Sequence, residues 1–121
     1  MSKKNEKLYT LPRDYTDDLL ADVDEHIDIC LDSIEYFKNH QDNYRKEMIG
    51  LIVDFLWTNY SIKRTLWPYA IEDPTYHVDE ETGEVSLMIT STVLKNLQDF
   101  VIARHLSNVE LSRYSISVSM H

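Results

Sequence analysis

Leu20, Val23, Ile27, Cys30, Ile34 and Phe37 recur at alternating three- and four-residue steps. An α-helix is the local structure that gathers such positions on one face, so this segment must be a long amphipathic helix with that row against a core. The same segment carries a second periodic set. Asp14, Asp18, Glu25, Asp28, Asp32 and Glu35 step by four, seven, three, four and three residues. They are offset by two residues from the apolar row, roughly 200° at about 100° per residue, so the acids point directly away from the core.

Folding gains little from that second row. Between Asp14 and Glu35 there are nine carboxylates, the other three being Asp17, Asp22 and Asp24, and no Lys or Arg. Seven of the nine are Asp, a poorer helix former than Glu. Like charges four residues apart repel. Asp28, Asp32 and Glu35 also sit toward the helix end, where the macrodipole makes each cost roughly 0.3–1 kcal/mol. A second acidic group, Glu72, Asp73, Asp79, Glu80, Glu81 and Glu84, contributes to a net charge of −9. Such a chain repels nucleic-acid backbones and anionic membranes and attracts basic protein surfaces.

The remaining elements follow from the same kind of reading. Residues 1–13 are a basic, polar opening that ends at Leu11-Pro12-Arg13, after which Asp14 or Thr16 is placed to cap the acidic helix, 14–38. Asn39-His40-Gln41-Asp42 connects to a second helix, 42–67, capped by Asp42 or Asn43 and apolar on nearly every side from Met48 to Trp57. A helix of that kind is central, and Pro68 ends it. Two β-type runs around Gly83 predict a hairpin over 75–90. Ser91 or Thr92 then caps a third helix, 92–106, carrying Val93, Leu94, Leu97, Phe100, Val101 and His105. At the end Tyr114, Ile116, Val118 and Met120 alternate with serines, which predicts a strand over 113–120 that joins the hairpin. The expected fold is therefore α+β: a helix-dominated single domain, three main helices with a small antiparallel sheet. The terminal strand has Arg113 as its sole gatekeeping charge, and an unpaired edge there would favour a homo-oligomer or a complex.

With 121 residues the chain is long enough to bury a core without metals or disulfides. One cysteine points to a reducing compartment, the cytoplasm. Lys3, Lys4 and Lys7 have no apolar stretch behind them, so no export is expected. Among His26, His40, His77, His105 and His121 no pair has metal-ligand spacing. His26 with Asp22 and Glu25 is the one set that could surround a divalent ion, which would make a small metal-dependent hydrolase. Cys30 lies on the apolar row and is expected to be buried and inert. With 2 glycines there is little from which to build a phosphate cradle. Trp57, Tyr60, Trp67, Tyr69 and Tyr76 cluster near Lys63 and Arg64, and packing into a core or interface is the expected use.

These features predict a non-catalytic interaction module with no cofactor, of the inhibitor kind carried by phages and mobile elements. Its partner-binding residues would be Asp14, Asp18, Asp22, Glu25, Asp28, Asp32 and Glu35, docked on a basic, nucleic-acid-binding protein. From Asp14 to Glu35 the helix runs about 32 Å, one charge per about 3.5 Å, close to the ~3.4 Å phosphate spacing of one DNA strand. A structural subunit of a larger assembly, such as a virion component, is the alternative.

Overall fold

The computed structural model describes residues 7–40, 45–72 and 74–114. In order they form strand β1 (Leu8–Pro12), helix α1 (Arg13–Lys38), helix α2 (Arg45–Trp67), a π-helical turn (Pro68–Glu72), strands β2 (Tyr76–Val78) and β3 (Val85–Thr90), and helix α3 (Ser91–Ser112). The fold is α+β and helix-dominated, with one three-stranded antiparallel sheet.

Helix α2 lies between the other two and packs against both. It buries Met48, Ile52, Phe55, Asn59, Ile62 and Leu66, a single three-and-four row. Near the sheet, Leu19, Leu20, Val23 and Ile27 of α1 meet Ile62 and Leu66 of α2, Leu87 and Ile89 of β3, and Leu97 of α3. At the far end Cys30, Ile52, Phe55 and Leu111 close a second cluster. Leu20, Val23, Ile27 and Cys30 are buried as their periodicity predicts; Thr16, Leu19 and His26 join them.

The strand order is β1-β3-β2, with β3 in the centre. The third strand is thus Leu8–Pro12, within the expected polar opening, pairing antiparallel with β3 from Leu8↔Thr90 to Pro12↔Ser86. Tyr9 and Leu11 turn toward the core, a short alternation that supplies one buried face. Pro12, which has no N–H to give a ladder, ends this edge strand. The strand expected over 113–120 does not begin at Arg113, because Arg113 and Tyr114 form a turn on the end of α3; its remainder lies outside the described residues.

The helix starts also differ from the capping signals. α1 follows β1 without a side-chain cap, and the Thr16 hydroxyl instead donates to the Pro12 carbonyl at 3.1 Å. α3 is capped by Thr90, whose Oγ1 accepts from the Val93 N–H at 3.3 Å, one residue before the expected position. It runs to Ser112 rather than ending at residue 106, because Leu111 has a buried place waiting beside Cys30 and Phe55. The cap proposed at Asp42 or Asn43 lies outside the described residues. Between β2 and β3, Asp79 Oδ1 accepts from the N–H groups of Glu81 and Thr82, and Gly83 takes φ +77°, the left-handed conformation in which a glycine avoids Cβ strain. Those two N–H groups hold the Asp79 carboxyl below its usual range.

Candidate protein-binding face

The tertiary fold sorts the nine acids of α1 into two groups. Asp17 pairs with Arg13 of its own helix at 3.6 Å. Asp24 receives Lys63 of α2 at 2.7 Å, and Asp22 receives Arg104 of α3. All three acids outside the six-residue acidic row are thus paired. Of the row, Asp14, Asp18, Asp28, Asp32 and Glu35 are exposed, and Glu25 is half-buried. Among the described residues Asp14, Asp18, Asp28 and Asp32 have no cationic partner, and Glu35 is approached by the Asn39 side-chain amide at 3.3 Å. Asp22, expected on the binding face, belongs instead to the seam between α1 and α3. The hairpin adds to the exposed acid, since Glu84 and Asp14 line one recess of about 330 Å³ beside Arg13.

The seam around Asp22 carries the most concentrated side-chain chemistry. His26 is 5% exposed, edge-on to the Phe55 ring at a centroid distance of 5.6 Å. Its Nδ1 lies 2.7 Å from the Asp22 carbonyl oxygen and 2.8 Å from Arg104 Nη2. A guanidinium donates and a carbonyl accepts, so one ring nitrogen cannot satisfy both; the tautomer decides which contact is a hydrogen bond. The adjoining cleft, about 290 Å³, is lined by Asp22, His26, Phe55, Val101, Arg104, His105 and Asn108, and contains no Ser, Thr, Cys or Lys.

This geometry bears on the metal set Asp22, Glu25 and His26. Arg104 occupies the position between Asp22 and His26 that a cation would take, so the charge an ion would supply is already there. Among the described residues no three His, Cys, Asp or Glu side chains gather in a metal-holding group. Arg104 escaped the sequence reading because it is 82 residues from Asp22, with no local periodicity linking the two.

Of the mid-chain aromatics, Tyr69 packs against the core whereas Trp57 and Tyr60 do not. Trp57 is 61% exposed and Tyr60 is 40% exposed, their rings edge to face with centroids 6.3 Å apart, on the side of α2 turned from the core. With Lys63, Arg64 and Trp67 they line an open groove of about 480 Å³. Lys63 is committed to Asp24 and also sits over the Trp67 ring at 5.2 Å. The sequence signal for this exposure is that the row 48, 52, 55, 59, 62, 66 already fills the core, which leaves positions 57 and 60 on the opposite side.

No helix among the described residues is long and apolar enough to cross a membrane. Comparison with family models, with curated proteins and with solved structures returned no match.

Proposed function

We propose that this protein is a non-catalytic interaction module that docks the outer face of α1 on a basic surface of a nucleic-acid-binding protein and inhibits it. The observation that carries this reading is the selective pairing on α1. Arg13 of the same helix, Arg104 of α3 and Lys63 of α2 reach Asp17, Asp22 and Asp24, while Asp14, Asp18, Asp28 and Asp32 remain exposed without a cation among the described residues. A row of like charges costs folding free energy and offers a partner's lysines and arginines a linear array, six carboxylates over about 32 Å or one per about 5 Å, more open than the ~3.4 Å phosphate spacing of one DNA strand. The partner is a basic protein rather than nucleic acid or membrane, and the single buried thiol suits the cytoplasm.

The test joins stability to binding. Parent protein and the triple variant Asp18→Asn, Asp28→Asn, Asp32→Asn are used as bait in an extract of the native host, and a captured basic protein is then purified and titrated against both. The triple variant is expected to melt no lower than the parent, because repulsion and the unfavourable dipole position of Asp28 and Asp32 are removed. It should bind at least about tenfold more weakly, with the parent's affinity falling steeply as salt rises. Equal affinities, or a parent complex indifferent to salt, would return the acids to the role of a solvated surface. The exposed Trp57 and Tyr60 favour a second reading, a structural subunit of a larger assembly, for which the same capture would yield a stoichiometric particle.

A further inference from the structure

Helix α3 has a second apolar row. Ile102, Leu106 and Val109 are 60%, 62% and 50% exposed, at four- and three-residue steps on the side opposite Leu97 and Leu111, which are buried. Three large aliphatic side chains in one outward line mark a contact surface rather than scattered surface apolars. The row broadens at Ile102, which borders a recess of about 620 Å³ shared with Leu11, Tyr15 and Gln98.

The charges flanking this row identify what covers it. Asp99 precedes Leu106 by seven residues and Arg113 follows it by seven, both exposed on the same outer side as Leu106. If a second α3 lies antiparallel on the first with Leu106 on the two-fold axis, Asp99 of each copy meets Arg113 of the other, about 10 Å to either side of the axis. The same register sets Ile102 beside the partner's Val109 and Leu106 beside Leu106. Within one chain these charges have modest exposed partners, Lys95 for Asp99 at 3.2 Å and Glu110 for Arg113 at 3.0 Å, so they are free to exchange across the axis. The bulk of the molecule's acid lies on α1 and the hairpin, whereas α3 carries Lys95, Asp99, Arg104 and Glu110, equal in both signs. A chain of net charge −9 can meet itself on this helix without stacking its excess charge.

We propose that the outer face of α3 is a homodimer interface, two copies crossing antiparallel about Leu106 with reciprocal Asp99–Arg113 pairs. This goes beyond the docking role of α1 and does not depend on it. The test is the sedimentation behaviour of the full chain with matched thermal melts by circular dichroism. The parent is expected to be a dimer. Leu106→Glu brings two like charges together on the axis and should raise the dimer dissociation constant by about a hundredfold or more. Its helicity should be unchanged, because Leu106 is exposed. Asp99→Arg and Arg113→Asp should each weaken the dimer, and the double exchange should restore it. Leu106→Cys should cross-link to itself under mild oxidation, because antiparallel helices at about 8–10 Å bring facing Cα atoms within disulfide reach. A monomeric parent, a dimer indifferent to Leu106→Glu, or a double exchange that fails to rescue would overturn the proposal.

Discussion

Cys30 is fully buried among Ile52, Phe55 and Leu111, and burial pushes its thiol from 9.0 up to about 11, although Arg104 pulls in the other direction. The thiolate is the reactive form, so the folded protein should resist alkylation by iodoacetamide near pH 8 and react readily in denaturant. Comparable rates in the two conditions would mean that this end of the core opens freely. The raised value also sets a pH dependence. The buried neutral thiol stabilises the fold fully below pH 9.0, and that contribution is lost as pH rises through about 11. Asn59 is the other buried residue of note: its amide N–H donates to the Phe55 carbonyl at 2.8 Å, and its Oδ1 has no partner among the described residues.

Among the elements, α3 shows how packing sets length. Its C-terminal turns extend past residue 106 because Leu111 inserts beside Cys30, Ile52 and Phe55. Leu111→Ala should therefore cost about 2–5 kcal/mol in urea unfolding, the range for removing a buried leucine and leaving a cavity. A loss under about 0.5 kcal/mol, typical of surface substitutions, would show that the last turns of α3 are not part of the core. It has two apolar sides rather than one row: Val93, Leu97 and Phe100 pack inward, while Ile102, Leu106 and Val109 are exposed. On α1 the reverse holds. One strong apolar row leaves no ambiguity about which side is inward, and the acids take the other.

Charge acts on the molecule as a whole. At low ionic strength the unpaired carboxylates of α1 repel one another and the acidic hairpin over a screening length of about 30 Å at 0.01 M, which shrinks below 10 Å at physiological salt. Screening should raise the melting temperature by about 2–5 °C between those conditions. The variant lacking Asp18, Asp28 and Asp32 carboxylates should show a flatter response. A melting temperature that falls with salt would mean that the pairs Arg13–Asp17, Lys63–Asp24 and Arg104–Asp22 outweigh the repulsion.

The helices and the hairpin were legible because each is specified within its own segment. A three-and-four apolar row has one backbone that buries it, and Asp79 through Gly83 carry the chemistry of their own turn. The acidic row on α1 was legible for the same reason. What the local pattern leaves open is which distant segments meet. Leu8–Pro12 lies in an opening that reads only as basic and polar, and pairing with β3 across nearly eighty residues is what makes it a strand. Likewise, nothing near Asp22 in the chain announces Arg104. Only the packing of α1 and α3 against the shared α2 brings Arg104 to Asp22 and buries His26 beside Phe55, because contacts of that separation are fixed by how the helices share one core rather than by any local preference.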